Sequence, residues 1–143
     1  NFRYNAFHKL KAGKLMAKKI IFTEDAPKAI GPYSQAVKAG GFTFVSGQVA
    51  INPRTGNLMN SSIEEQAEQV LQNLTAICKE ANLSLSDIVK LTIYITNMSD
   101  FSIVNEAMQR HFDEPYPARA TVEVSALPLG VNVEMDAILI NNE

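Results

Sequence analysis

The chain has 143 residues, of which 46% are hydrophobic and 20% are charged, and its formal net charge is −2. This composition is typical of one globular domain with a sizeable core. No apolar run approaches the roughly 20 residues needed to cross a bilayer, and no secretory signal is recognisable, so we expect a cytoplasmic protein with no membrane segment. The single cysteine, Cys78, excludes an internal disulfide framework and fits a reducing compartment.

The first fifteen residues, NFRYNAFHKLKAGKL, carry Arg3, Lys9, Lys11 and Lys14 and no acidic residue. Subtracting these four charges from −2 leaves −6 for the remainder. We interpret residues 1–15 as a disordered expression leader, or else as a trimmed transit segment, ahead of a single domain over 16–143. The acidic remainder lacks the clustered Lys and Arg that neutralise phosphates, which argues against nucleic-acid binding.

The first half of the domain has the composition of strands joined by turns. KKIIFT (18–23) predicts a short strand, and APKAIGPYSQ (26–35) predicts a loop. The stretch QAVKAGGFTFVSGQVAI (35–51) predicts two strands joined at Gly40 and Gly41, which is a hairpin signal. NPRTGN (52–57) then reads as a turn.

A helical period begins at Ser62. Apolar residues recur at helical spacing from Ile63 to Ala81, and Ser62 with Glu65 matches a capping box. Cys78 lies on this apolar stripe, which favours a small buried hydrophobe over a reactive thiol.

The second half alternates between the two periods. DIVKLTIYITN (87–97) predicts a strand, and SDFSIVNEAMQRHF (99–112) predicts a helix capped by Ser99 or Asp100. Two further strands are predicted over 118–124 and 131–140. Two helices cannot cover both faces of such a sheet. We therefore expect an α+β fold, a single mixed β-sheet with both helices on one face, whose other face is solvated or covered by another subunit.

Arg119 stands near the start of the strand ARATVEV. Strand alternation places it on one side with Thr121, while the last strand places Glu134 and Asp136 together. If the two strands pair as a hairpin, these polar rows share a face. One interpretation is a solvated face with cross-strand ion pairs. The other is a site in which a guanidinium binds a carboxylate ligand and a carboxylate handles water or a proton.

Several motifs occur in an order that resembles the Rid family of reactive-intermediate deaminases, also called the YjgF family. They are GPYSQAV (31–37), VSGQVAINPRTG (45–56), DIVKLTIYITNMSDFSIVNEA (87–107), PARATVEV (117–124) and LPLGVNVEMDAI (127–138). The resemblance implies a homotrimer with a chorismate-mutase-like fold and sites in clefts between subunits. It also implies hydrolysis of 2-imino acids, produced by pyridoxal-phosphate-dependent enzymes, to 2-keto acids and ammonia, with no cofactor and no metal.

The resemblance also implies roles for individual residues. Arg119 corresponds to the arginine that binds the substrate carboxylate, and Glu134 to the acidic residue beside the catalytic water. Substrate-binding positions correspond to Tyr33, Ser46, Gly47, Asn105 and Thr121, with Tyr33 coming from a neighbouring subunit. Outside the resemblance, Tyr33 could be a core aromatic, Gly47 a bulge, and Ser46 and Asn105 solvated residues.

Thr121 departs from the pattern, because many relatives have cysteine there. An imine is already electrophilic and needs only a positioned water and a proton source, so the chemistry requires no thiol nucleophile. A second hypothesis is a trimeric regulatory protein that binds small carboxylates without catalysis, and a third is a translation-inhibiting endoribonuclease. Arg119 together with Glu134 favours the enzyme, whereas a binding protein needs only the arginine.

Overall fold

Residues 17–142 are described by a computed structural model of the chain, and the predicted leader over 1–15 lies outside them. The described residues form six strands and two α-helices in the predicted order. The bounds are β1 Lys18–Ile21, β2 Ala36–Ala39, β3 Phe42–Gln48, α1 Ile63–Glu80, β4 Ile88–Ile95, α2 Phe101–His111, β5 Ala118–Glu123 and β6 Val133–Ile140.

The six strands make one mixed sheet in the order β1-β2-β3-β6-β4-β5. The β2–β3 hairpin forms as predicted and turns at Gly40, whose φ of 57° is the left-handed conformation that glycine adopts without strain. Strand β6 lies between β3 and β4 and is antiparallel to both. Strands β4 and β5 run parallel, and α2 connects them.

The hairpin considered above for β5 and β6 does not form. Strand β5 pairs with β4 alone and forms an edge of the sheet, since β4 separates it from β6. A parallel strand can follow β4 because α2 provides the long crossover that parallel pairing requires. This arrangement decides which way Arg119 points.

Both helices pack on one face of the sheet, which confirms the predicted α+β layer. The core on this face contains the apolar stripe of α1 and the inward-facing residues of the three central strands, including Leu71, Leu74, Ile77, Leu91, Ile93, Met135 and Leu139. Cys78 belongs to this core, and burial raises the pKa of its thiol to about 12, with the charge of Asp87 contributing less. Thiolate chemistry at neutral pH is therefore suppressed.

The opposite face, which we call the open face, carries apolar side chains with no helix over them. Phe42 and Phe44 of β3 are 44% and 45% exposed, and Ile140 of β6 is 48% exposed. Their cross-strand pairing explains why they cluster: Phe42 lies opposite Ile140, and Phe44 lies opposite Ile138. Contiguous exposed apolar residues of this kind mark interaction surfaces.

The helix caps follow the prediction in part. The Ser62 hydroxyl accepts a hydrogen bond from the Glu65 backbone N–H, but the Glu65 carboxylate turns back to Ser61, so only half of the predicted capping box forms. The start of α2 is stabilised differently from the prediction. Asn97 accepts from the Ser99 N–H in a preceding 3-10 turn, and Asp100 makes no side-chain capping bond.

An ion-pair cluster joins the two helices. Glu68 of α1 accepts hydrogen bonds from Arg110 at 2.8 and 2.6 Å and lies 2.6 Å from His111 Nε2. Partial burial works to raise the pKa of Glu68, but His111 and Arg110 outweigh it and leave that pKa lowered. The cluster fixes the last turn of α2, whose middle turn carries Asn105.

Candidate functional site

A cavity of about 390 Å³ opens on the open face at one end of β3, β6 and β4. Strand β3 supplies its floor, the loop before β2 covers one side, and a 3-10 turn over Pro128–Gly130 borders it. Four of the sequence-predicted site residues meet here. The polar side chains and backbone that line the cavity include Lys28, Tyr33, Ser46, Gly47, Tyr94, Glu134 and Asp136.

Glu134 is positioned by the absence of a side chain at Gly47. A Cβ at position 47 would lie 2.9 Å from the Glu134 Cδ and 3.0 Å from its Oε1, which is closer than such atoms pack. Gly47 has no positive φ, so glycine is required here for close approach, not for backbone conformation. The β3–β6 register also shifts between Val45 and Gln48, so Gly47 lies at a strand irregularity as well as against the Glu134 carboxyl group.

The loop over the cavity is held by buried amide and hydroxyl groups. The Gln35 side chain accepts from the Thr23 N–H at 2.8 Å and donates to the Thr23 and Pro27 carbonyls at 3.0 and 2.9 Å. The Ser46 hydroxyl donates to the Ser34 carbonyl at 2.6 Å, so Ser46 supports the loop from the strand. Tyr33 lies on the same loop, just before Ser34. It is 49% exposed, so it is not a core aromatic.

The carboxyl group of Glu134 is harder to ionise than an ordinary glutamate. Burial raises its pKa, and the negative charge of Asp136, two residues along β6, raises it further. Asp136 accepts a hydrogen bond of 2.9 Å from the Tyr94 hydroxyl of the neighbouring strand. A half-buried carboxyl group with a raised pKa holds a proton more readily than an ordinary glutamate, which suits it to proton transfer.

Arg119 lies in a second cavity, of about 450 Å³, between β5 and α2. Its Nη1 donates to the Asn105 Oδ1 at 2.5 Å and lies 3.4 Å from the Met108 sulfur. The guanidinium carbon stands 5.2 Å from the centre of the Phe101 ring, within the range of a cation–π contact. Three residues of α2 thus contact the guanidinium, and within residues 17–142 its remaining N–H groups have no hydrogen-bond partner.

Thr121 lies behind Arg119 on the same side of β5. Its hydroxyl is buried and has no hydrogen-bond partner among the described residues. Because an unpaired buried hydroxyl costs free energy, the hydroxyl of Thr121 does not stabilise the fold, although a side chain of this size fits there.

Six of the seven sequence-predicted site residues therefore form two half-sites, which we define as the Glu134 half-site (Tyr33, Ser46, Gly47, Glu134) and the Arg119 half-site (Asn105, Arg119). Thr121, the seventh, lines neither cavity. They lie on opposite sides of the sheet. Arg119 pairs in register with Leu91, whose side chain is in the core, whereas Glu134 pairs with Tyr94 on the open face. The expectation that Glu134 lies near Arg119 within one chain is wrong, because it depended on the β5–β6 hairpin.

Several residues that contact or line these half-sites were not proposed from the sequence as site residues, among them Tyr94, Asp136, Met108 and Phe101. Tyr94 was detectable, because in LTIYI the polar residues Thr92 and Tyr94 alternate with buried Leu91, Ile93 and Ile95 and so lie on the face away from the helices. The contact of Phe101 with Arg119 depends on how α2 packs against β5, and no sequence pattern reveals it.

Other chemistries find little support in the described residues. Residues 17–142 contain no cluster of three or more His, Cys, Asp or Glu side chains that could hold a metal ion. Neither helix of this region is long and apolar enough to span a bilayer.

Comparison with known proteins places this geometry in a family. Residues 23–141 match the family model described as endoribonuclease L-PSP. The chain belongs to that family, which includes the Rid proteins. The match to the family model includes all six residues of the two half-sites.

Individual Rid relatives match over nearly their whole lengths. A RutC family protein of Pyrococcus abyssi is 52% identical over 123 residues, covering 86% of this chain and 97% of the relative. The 2-iminobutanoate/2-iminopropanoate deaminase of Dermatophagoides farinae is 41% identical, with 86% and 96% coverage. The structure of Escherichia coli TdcF with bound serine superposes with a TM-score of 0.83 at 42% identity, covering 87% of this chain and 99% of TdcF.

Proposed function

We propose that this Rid protein hydrolyses reactive 2-imino acids, such as 2-iminobutanoate and 2-iminopropanoate, to 2-keto acids and ammonia. The observation that carries the proposal is the Glu134 half-site, where a carboxyl group with a raised pKa faces a cavity lined by Tyr33 and Ser46. A protein that only bound carboxylates would need a positively charged group. It would gain nothing from a carboxyl group of its own, such as that of Glu134, next to the carboxylate of the ligand. The deaminase of Dermatophagoides farinae, which is similar over the same residues, supports this choice.

The reaction needs two groups in defined places. Arg119 binds the substrate carboxylate with its free N–H donors, which fixes the imine carbon. Glu134 takes a proton from a water molecule as that water attacks the carbon of the protonated imine, giving a neutral carbinolamine. Glu134 then returns this proton to the amino nitrogen. As the C–N bond breaks and ammonia leaves, Glu134 accepts the proton of the carbinolamine hydroxyl and the carbonyl of the keto acid forms; that proton, which the imine brought, then leaves with ammonia as ammonium. The step consumes one water and requires no oxidant or cofactor.

Because the two half-sites lie on opposite sides of one sheet, we propose that each complete site forms between subunits of a homotrimer. The Arg119 half-site of one subunit faces the Glu134 half-site of the next. Tyr33 therefore comes from the same subunit as Glu134, and the neighbour contributes Arg119 and Asn105. The exposed Phe42, Phe44 and Ile140 provide the apolar surface that such an assembly would bury.

The imines in question arise when pyridoxal-phosphate-dependent enzymes eliminate a leaving group from an amino acid. We therefore propose a functional link to such enzymes, without a physical contact. A short aliphatic substrate suits a cavity of about 390 Å³ that is lined in part by Ile30, Val49 and Leu129. The serine bound to Escherichia coli TdcF is also a small carboxylate of this size.

The proposal is tested by single-turnover hydrolysis of freshly generated 2-iminobutanoate, corrected for the spontaneous rate. Glu134→Gln keeps the shape of the side chain but removes the base, and we expect a loss of about a hundredfold in hydrolysis while 2-oxobutanoate still binds. Arg119→Lys keeps the charge but loses the fork and should weaken both binding and turnover. Equal hydrolysis by wild type and Glu134→Gln would remove Glu134 from the mechanism.

One observation favours a second candidate, a regulatory protein that binds small carboxylates. The Arg119 half-site is held by α2 alone and could bind a carboxylate without Glu134. In that case the wild type binds 2-oxobutanoate but does not accelerate imine loss, and Glu134→Gln changes neither measurement. Calorimetry and the hydrolysis assay on the same samples separate the two functions.

A further inference from the structure

The cavity contains a second carboxylate that the proposed mechanism does not use. Glu134 and Asp136 are two residues apart on β6, so their side chains lie on the same face with Cα atoms about 7 Å apart. Both line the cavity. Within the described residues, no other acidic side chain lines it.

Asp136 is fixed by a hydrogen bond from the neighbouring strand. Tyr94 lies directly opposite Glu134 in the β4–β6 register, and Thr92 lies opposite Asp136. The Tyr94 hydroxyl nevertheless reaches diagonally to Asp136 and donates to its Oδ2 at 2.9 Å. As a result Tyr94 orients Asp136, and Glu134 receives no hydrogen bond from this tyrosine in its direct register position.

The other groups around Glu134 set the rest of its electrostatic environment. Strand β3 presents the uncharged Ser46 and Gly47, and the loop before β2 presents Tyr33 and the positive charge of Lys28. Asp136 is thus the one negative charge that faces Glu134 among the described residues. Lys28 and, in the proposed trimer, Arg119 of the neighbouring subunit act in the opposite sense. Repulsion between two carboxylates at this spacing favours the protonated form of one of them.

We propose that Asp136 is a positioning residue of this site: its charge, oriented by Tyr94, sets the pH at which Glu134 gains and loses its proton. The inference rests on the proposed role of Glu134 in hydrolysis. Two geometric observations support it: the hydrogen bond from Tyr94 fixes the Asp136 carboxyl group, and strand alternation places that group on the same face as Glu134. The charge of Asp136 therefore acts on Glu134 from a fixed position.

Asp136→Asn isolates the effect of the charge. Asparagine has nearly the shape of aspartate, and its Oδ1 still accepts from Tyr94, but the negative charge is gone. We expect the pH at which Glu134 is half protonated to fall. Asp136→Glu restores the charge and should return that pH toward the wild-type value. Glu80→Gln, which removes one negative charge from an exposed position at the end of α1, is the matched control and should leave it unchanged.

The first measurement is a titration of 13C-labelled glutamate side chains by NMR, in which the Glu134 carboxyl signal is assigned by its loss in Glu134→Gln. This readout does not depend on activity. The second is the pH dependence of kcat/KM for 2-iminobutanoate hydrolysis, whose rising limb reports the same group in the free enzyme. A shift of both to lower pH in Asp136→Asn, reversed in Asp136→Glu, supports the proposal.

An unchanged Glu134 titration in Asp136→Asn, or an equal shift in Asp136→Glu, overturns it. Failure of the proposed function looks different. In that case the wild type does not accelerate imine loss at any pH, while the NMR titration still decides whether Asp136 controls the proton on Glu134.

Discussion

The two half-sites of this protein are built in contrasting ways. The Glu134 half-site is formed by backbone: strands β3, β4 and β6 hold it, and the Glu134 carboxyl rests against the bare Cα of Gly47. The Arg119 half-site is formed by side chains, since Asn105, Met108 and Phe101 of one helix hold the guanidinium at an exposed sheet edge. The carboxyl group is partly desolvated and has a perturbed pKa, whereas the cation stays in contact with water.

This difference matches the tasks proposed for the two groups. A group that transfers protons must have a tuned pKa, which requires burial and a fixed neighbouring charge. A group that binds a carboxylate needs only a permanent charge and a fixed orientation, which side-chain contacts provide. The contrast also explains how two subunits could share one site: the exposed cation of one can approach the preformed cavity of another.

A site shared between two subunits is tested most directly by placing the two defects on different subunits. Arg119→Ala and Glu134→Gln proteins should each be nearly inactive. When they are mixed in equal amounts under conditions that allow subunit exchange, a quarter of the sites in random trimers receive both intact halves. We therefore expect recovery to about one quarter of the wild-type rate of imine hydrolysis, from about one hundredth for each variant alone.

The control for this experiment is a double variant with both substitutions in one chain, mixed with wild type. It can dilute intact sites but cannot create them. Native mass spectrometry shows whether the two single variants exchange subunits. If they do and activity does not recover, the Arg119 and Glu134 half-sites of different subunits do not form a shared site.

A second prediction concerns the contact on which the Glu134 half-site depends. Gly47→Ala places a methyl group 2.9 Å from the Glu134 Cδ, which is too close for packing, so the carboxyl group must move. We expect imine hydrolysis to fall by on the order of tenfold, with the melting temperature nearly unchanged, because the backbone at position 47 accepts any residue. Gly41→Ala is the matched control, since a Cβ there meets nothing within 4 Å and no positive φ is required.

The sequence was sufficient for much of the fold. Alternation and helical spacing predicted every strand and helix of the described region to within a few residues, because burial on one face imposes those periods directly. The β2–β3 hairpin was predictable because Gly40 and Gly41 act locally. The pairing of β5 with β4 was not, because strand order depends on contacts between distant segments and on the crossover through α2.

That one topological error propagated to the candidate site. With β5 and β6 adjacent, Arg119 and Glu134 would share a face, whereas the observed order places them on opposite sides of the sheet. The identities of the candidate residues came from family motifs and did not depend on strand order. Their grouping into two half-sites did depend on it, and the strand order was known only from the structure. The Tyr94–Asp136 bond required the β4–β6 register as well.

A third prediction tests the side-chain construction of the Arg119 half-site. Asn105→Ala removes the hydrogen bond to the guanidinium, a bond to a charged group at a partly exposed place, while Phe101 and Met108 remain. We expect KM for 2-iminobutanoate and Kd for 2-oxobutanoate to rise together by about fivefold, with little change in kcat. Ser102→Ala, at an exposed position of the same helix, serves as the control. A fall in kcat with constant KM would assign Asn105 to the chemical step instead.

The smallest expected effect is on stability, and it tests whether Glu134 is held at a thermodynamic cost. The pKa of Glu134 is raised in the folded protein, first by burial and then by Asp136, so its ionised form is less favourable in the folded chain than in the unfolded one. The folded state therefore binds more protons, and stability falls as pH rises from the unfolded pKa through the folded one.

Glu134→Gln lacks this penalty and should unfold at a slightly higher denaturant concentration than wild type at pH 7. The difference should shrink as the pH is lowered toward 4, where the wild-type carboxyl group becomes largely protonated in both states. Urea unfolding at both pH values measures this, with Glu80→Gln as an exposed control. A Glu134→Gln protein that is less stable than wild type at pH 7 would mean that the charged carboxylate stabilises the fold, contrary to its placement in a tuned, desolvated half-site.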